Sequence, residues 1–455
     1  RFDADPLAEI DAALAEAPDF VMGHAFRAGL LVMGCEASVL PELRRSLDAA
    51  EALSGIATER EFAHVAAAGA WARGAFDAAR QRYGEIAARW PRDLLALQVA
   101  HGLDFFLGDG AALRDRPRAA LGAFSASEDA AGHIRGMLAF GLEECGDYAA
   151  AERAGRAAVA QDARDAWAIH AVTHVLEMQG RAGEGVDWLA GREADWAAPG
   201  NMLAMHNWWH LALFHLDRGE HAEALAVFDR GVRRHDPAPA IELVDVSAML
   251  WRFHLLGVDV GADRWAEAAR LWEAQEPGFY AFSDCHAVMA HLGAGRPDAA
   301  RAVIAAMAAA AEGEGHNAMM TREVGLPLAL GLLAFAEGRY AAASAAGAAA
   351  GGGAALRRLA RAARRDRADP PGGGAAGARP RRGGLAGLGA AGGQARERAG
   401  ARPGRAGRAA ARLQRGGLTR ARRRGQVAAT PERRLAFDQG PRCGPVRTSG
   451  RGMAA

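Results

Sequence analysis

Apolar and small residues along the first part of the chain fall on one face at helical spacing, and a glycine-centred turn interrupts them at regular intervals. Clear copies of that turn are Gly74-Ala75-Phe76 with Ala79, Gly146-Asp147-Tyr148 with Ala151, and Gly219-Glu220-His221 with Ala224. Gly295-Arg296-Pro297 with Ala300 and Gly338-Arg339-Tyr340 with Ala343 continue the series. Weaker copies at Gly108, Gly180 and Gly257 complete a repeat whose spacing runs between roughly 34 and 43 residues. Glycine allows the left-handed turn that ends a first helix, and alanine lets a second helix pack back closely against it. Each copy therefore predicts one helical hairpin. In the best copy, Ala70 to Pro91, residues Trp71, Phe76, Ala79, Tyr83 and Ile86 share a face and Pro91 stops the second helix. Trp208 opens another copy, ahead of Ala212, Gly219, Ala224 and Phe228.

Strand signals are nearly absent, with sparse β-branched residues and one Asp-Gly pair, Asp109-Gly110, in an alanine-rich context. The predicted fold is all-α: a solenoid of tetratricopeptide-like antiparallel helix pairs over residues 1–340. Beyond 340 the periodicity stops. Ala, Gly, Arg and Pro make up 89 of the last 115 residues, a composition that buries no core. The codons of these four amino acids begin with two G or C bases, so the composition fits out-of-frame translation of GC-rich DNA better than a basic arm for nucleic acid or an acidic partner. A solenoid needs a polar terminal cap. With repeats ending at 340, Leu326, Leu328, Leu330, Leu332 and Phe335 are expected to lose partners, at a cost on the order of 8–15 kcal/mol and with fraying or poor solubility as the result.

Charge separates the two parts. The first 340 residues carry 30 Arg and 49 acidic residues, the rest 25 Arg and 5 acidic, and lysine is absent. An acidic body argues against nucleic-acid binding by the folded part. Cys35, Cys145, Cys285 and Cys443 lie far apart with no CxxC pair, which excludes a thiolate zinc site and suggests a reducing, cytoplasmic setting. No run of 18 apolar residues and no basic-plus-apolar leader is present, so no membrane partner is expected, although the chain begins at Arg1.

The chemistry-bearing pattern is a pair of histidine pairs. His170 and His174 are four apart, as are His206 and His210, so each pair lies on one helix face, and Glu177 continues the first stripe. On first helices of successive hairpins, His170, His174, Glu177, His206, Asn207 and His210 are expected to face one groove. Asp245, Asp284 and His286 are expected to close it from the far side. One reading is a transition-metal site of His170, His174, His206 and His210, since nitrogen and oxygen ligands suit zinc or iron. Another is acid/base chemistry, with Asp245 or Asp284 tuning a histidine. The primary reading is a concave groove that binds a protein, peptide or small molecule, with the histidines in hydrogen-bonded packing and Trp167, Trp208 and Trp209 as core anchors; an enzyme using the His/Asp/Glu cluster is the alternative. No HExxH, GxSxG, reactive-cysteine or GxxxxGK motif specifies a reaction, and no motif calls for a cofactor. His24, His64, His101 and His133 are scattered and read as structural; Trp196, Trp251, Trp265 and Trp272 read as core.

Several segments go beyond generic repeats: Phe20 to Ala25, Asp165 to Met178, His206 to Leu213, Val244 to Leu250, Asp284-Cys285-His286 and Arg322 to Leu328. In this order they resemble the tetratricopeptide repeat protein 38 family, also described as StaR-like. The resemblance implies an α-helical repeat fold over nearly all of residues 1–340 and no particular activity. It also implies further helices after Gly338-Arg339-Tyr340 and one before Phe20, neither of which is legible here.

Overall fold

A computed structural model of the chain describes residues 5–198, 201 and 203–350. These belong to one compact unit, Arg1–Arg398; a second unit, Ala399–Ala455, lies outside the described residues, as does the tail from 351 onward. Every regular element among the described residues is helical. All eight turn glycines singled out by the repeat take positive φ, from 66° at Gly180 to 84° at Gly108. A side chain there would meet the strain of the left-handed region, so the turn requires glycine.

The eight turns join eight helix pairs. The first is Glu59–Ala72 with Phe76–Arg89, and the last is Leu326–Ala336 with Tyr340–Ala350. The alanines at the close approach, Ala79, Ala151, Ala224 and Ala300, are fully buried. Trp71, Phe76, Tyr83 and Ile86 form the buried face of the first pair, with Trp71 and Phe76 stacked at 5.3 Å. Helix starts are fixed by side-chain caps. Asp93, Asp109, Asp147 and Asp165 each accept a hydrogen bond from the backbone N–H three residues on, and Thr58 with Glu61 forms a reciprocal capping box.

Both ends differ from expectation. A helix, Pro6–Glu16, does precede Phe20; Asp5 caps it by accepting from Leu7 and Ala8 N–H, and Pro6 occupies its first turn. At the other end the helix Tyr340–Ala350 runs ten residues past the boundary drawn from composition, because its alanine-rich sequence is an excellent helix former as well as a low-complexity stretch. It packs on Leu326–Ala336, where Ala346 and Ala343 approach Gly331 and Tyr340 meets the Phe335 ring at 5.7 Å. Leu328, Leu332 and Leu333 are buried, and of the five residues expected to be uncovered only Leu330, at 45%, is exposed. A chain ended after Glu337 is expected to lose roughly 1.5–3 kcal/mol for each large apolar side chain that this uncovers, whereas one ended after Ala350 keeps the full-length melting midpoint. Equal midpoints for the two truncations would refute the capping role of the last helix.

The continuous helical stretch His316–Ala336 is long and apolar enough to cross a membrane, contrary to the expectation from apolar runs, but it carries Arg322 and Glu323 and 56% of its most apolar window is buried inside the protein. Segments remote in sequence also meet. Glu36 accepts from Ala240 N–H at 2.8 Å, Tyr280 Oη donates to the Phe106 carbonyl at 3.0 Å, and Phe279 packs against both Trp71 and Phe76.

Candidate functional site

Asp165 caps the helix Ala166–Met178 and so fixes the register that places His170 and His174 one turn apart on the same face. The helix Ala204–Arg218, ended by left-handed Gly219, does the same for His206 and His210. The two faces meet. Ring centroids are 4.4 Å apart for His170–His174, 4.8 Å for His170–His206, and 4.7 Å for both His174–His210 and His206–His210. One ring nitrogen from each of the four lies within 4.8 Å of all the others. Around a metal with bonds of about 2.1 Å, nitrogens stand about 3.4 Å apart in a tetrahedron and about 4.2 Å apart across an octahedron. The widest separation would have to close by about 1.4 Å for a tetrahedron, or about 0.6 Å across an octahedron.

Three carboxylates back the histidines. Asp245 Oδ2 lies 2.7 Å from His206 Nδ1, Glu177 Oε2 lies 2.9 Å from His210 Nδ1 but off the line of the ring N–H, and Glu143 Oε2 lies 3.6 Å from His174 Nδ1. All three face Nδ1, which leaves Nε2 of those three rings without a carboxylate and available to a shared centre. This is the outer arrangement that orients histidine ligands and fixes their tautomer. Both ring nitrogens of His170 and of His210, and Nε2 of His174, are buried without a hydrogen bond. An unsatisfied buried polar group costs about 1–3 kcal/mol, so five such atoms in one place weigh against a cluster that exists only for packing.

Electrostatics agree. Burial, then repulsion by the neighbouring imidazoles, holds the pKa of His170 and His210 well below the ordinary histidine value, so both are neutral and able to ligate. At His174 burial pulls the same way but Glu143, Glu177 and Glu144 outweigh it and raise the pKa. Burial raises the carboxyl pKa of Glu177, against the pull of His174 and Arg252. Arg252 sits 4.8 Å over Trp209 and interacts with Glu177 and Asp245. Aromatic rings wall the cluster: Phe140 packs on His170 and His174, and Trp209 stacks on His206 at 5.5 Å. The His206 and His174 side chains keep 30% and 22% exposure, while Nε2 of His174 is itself buried.

The remaining expected site residues divide. Asn207, next to His206, points elsewhere on its helix and is fully buried, with neither amide atom hydrogen-bonded. His286 donates from Nδ1 to the Phe282 carbonyl at 2.8 Å; burial pushes its pKa down to about 4, and it feels Arg252 and Asp245. Asp284 does not join the histidines. Two residues along a helix is a rotation of about 200°, and Asp284 borders a separate cavity. Glu143, Arg252 and Phe140 were missed from the sequence. Glu143 had a signal, because it stands three residues before Gly146 as Glu177 stands three before Gly180, the same register in consecutive repeats. Of the histidines read as structural, His64 bonds Asp93 at 2.8 Å and His133 bonds Gln98 at 2.8 Å. The buried His101 is held by rings: it packs edge-on against Phe140 and Trp167, and burial drives its pKa to about 3.

The class of protein that these elements define is a tetratricopeptide-like helical-repeat protein. No protein-family model matches the chain. Among solved structures it is similar to a chain of the APC/C hetero-tetramer Cut9-Hcn1 crystal structure, with 13% identity, a TM-score of 0.36 and coverage of 70% of this chain. The match spans 56% of that other chain's length.

Proposed function

We propose that the protein is a metal-dependent enzyme built on a helical-repeat scaffold, with His170, His174, His206 and His210 holding one divalent transition metal. The observation that carries this reading is the convergence of four imidazoles whose ring nitrogens lie within 4.8 Å of one another. Carboxylates at three of the four rings support it. A sealed structural site closes all coordination positions, whereas a catalytic one keeps a position open. The partial exposure of the His174 and His206 side chains supports the second kind. A metal there would act as a Lewis acid or activate bound water, or a small oxidant, beside Asp245 and Glu177. The protein, peptide or small-molecule ligand expected from the repeat fold would approach past those two side chains. Zinc, iron and copper all suit an imidazole set.

We also read the chain as a relative of the tetratricopeptide repeat protein 38 family. Two of the segments that carry the resemblance, Asp165 to Met178 and His206 to Leu213, supply the four histidines. Elemental analysis of the purified chain is expected to find about one equivalent of a transition metal per molecule, lost in a His170→Ala/His206→Ala double variant. Metal-free protein that takes up no zinc, iron or copper on dialysis would return the histidines to a packing role.

A further inference from the structure

A cavity of about 240 Å³ lies between the turn after Val21–Gly34 and the helices Ala281–Gly293 and Pro297–Ala311. It is apart from the histidine cluster, and nothing in the preceding reading uses it. Asp284 lines it, 4% exposed, with Oδ1 accepting from Gly278 N–H at 3.0 Å and Oδ2 without any partner. His291 also lines it, 3% exposed, with Nδ1 unpartnered. Seven residues apart on one helix, the two share a face and stand about 10.5 Å apart along the axis. A carboxylate oxygen buried with no donor is costly in the absence of something that supplies one.

The aromatic part of the wall spends its donors elsewhere, which leaves the Ser283 hydroxyl and Gln275, whose Nε2 already donates to the Ala238 carbonyl at 3.1 Å, as the polar neighbours. Trp272 spends its Nε1–H on Ser247 Oγ at 2.7 Å, and Tyr280 spends its hydroxyl proton on the Phe106 carbonyl. These rings and Phe279 present apolar, electron-rich surface to the cavity. The other charged residues that border it are acidic: Glu36, which accepts from Ala240 N–H, Glu276, and Glu273, which pairs outward with Arg296. No arginine lines the cavity. Acceptors, negative charge and aromatic faces together select a donor-rich cation with an apolar body. A bare metal ion fits poorly, since one carboxylate oxygen and an imidazole two helical turns away cannot share its coordination sphere. The volume falls below the range of about 300–1,000 Å³ that houses drug-sized molecules.

We propose that this cavity binds a small organic cation, a primary alkylamine or diamine whose ammonium group donates to Asp284 Oδ2 while its alkyl chain lies along Phe279 and Tyr280 toward His291. The site stands independently of the metal centre. Burial raises the pKa of Asp284 to about 7, so an amine that selects the ionised carboxylate binds more tightly as that proton leaves.

Calorimetric titration of the full chain with 1,4-diaminobutane, butylamine and 1,4-butanediol tests this. The amines are expected to bind at least tenfold more tightly than the diol. Their affinity should rise roughly tenfold between pH 6 and pH 8 as Asp284 ionises. Asp284→Asn should cost the amines tenfold or more and leave the diol unchanged. Should Asp284→Asn fail to fold, the wild-type comparison of amine with diol and its pH profile decide alone. No measurable binding of either amine, equal binding of diol and diamine, or a flat pH profile would each overturn the proposal.

Discussion

Chelation is expected to lower the melting midpoint of the wild-type chain by several degrees and to leave that of the His170→Ala/His206→Ala double variant unmoved. The metal would join two helices from consecutive repeats, Ala166–Met178 and Ala204–Arg218, that otherwise touch through imidazoles with five buried ring nitrogens lacking hydrogen-bond partners. A ligand bound only by the folded state contributes about 4 kcal/mol when present at a thousand times its dissociation constant. That figure already contains the cost of the nitrogens left unsatisfied in the metal-free fold, because the dissociation constant is measured against that state. The double variant takes one imidazole from each helix and leaves His174 and His210, too few ligands to hold the ion. The carboxylates give a graded form of the same test. Asp245→Asn keeps the size of the group 2.7 Å from His206 but removes its charge, and is expected to weaken metal affinity about 10–100-fold while leaving the helices intact. Glu143→Gln, at 3.6 Å, should cost less. A wild-type midpoint that stays fixed after elemental analysis shows the metal gone would exclude a stabilising centre.

The repeat was legible because its signal is steric and local. A left-handed turn admits glycine and little else, so each of the eight turns left a residue in the sequence that only one conformation explains. The histidine pairs were legible for a similar reason, since a spacing of four on a helix dictates a shared face. What the sequence hid was everything set by distance in space. Glu143 and Arg252 reach the cluster from helices on either side; only Glu143 left a trace, in the register it shares with Glu177, and nothing local marks Arg252 as facing inward. Asp284 was assigned to the wrong place because a repeat argument puts residues on a helix without saying which way a given side chain turns. The helix Tyr340–Ala350 was lost for a different reason: alanine-rich composition is shared by good helices and by low-complexity sequence, and composition alone does not separate them. Contacts such as Glu36 with Ala240 join positions 204 residues apart and leave no periodic trace.

The largest single-residue loss of stability is expected at Gly141, where one methyl group has nowhere to go. A Cβ there would stand 2.3 Å from the Leu113 carbonyl oxygen and 2.4 Å from Arg114 N, so the obstacle is backbone rather than a side chain that can swing away. The close approach has a cause in the sequence. Pro117 lies inside the helix Gly110–Ala120 and has no N–H to give the carbonyl four residues earlier, which belongs to Leu113. That carbonyl is left facing the neighbouring helix Asp129–Glu144, and only glycine lets the two backbones come this near. Gly141→Ala is therefore expected to cost about 3 kcal/mol or more, at the upper end of overpacking penalties. Gly55→Ala, where an added Cβ meets nothing within 4 Å, should stay within about 0.5 kcal/mol of wild type. Denaturant unfolding of the two variants makes the comparison. Pro117→Ala returns the missing N–H to Leu113 and should couple to Gly141→Ala by about 0.5 kcal/mol or more in a double-mutant cycle. Additive losses would mean that the proline does not set the helix separation. The effect should also reach the candidate centre, because Phe140 and Glu143 flank Gly141 and the depth of their helix decides how closely they meet His170 and His174. Lower metal occupancy in folded Gly141→Ala, with none of the four histidines touched, is the result that would tie the packing of this helix pair to the metal site.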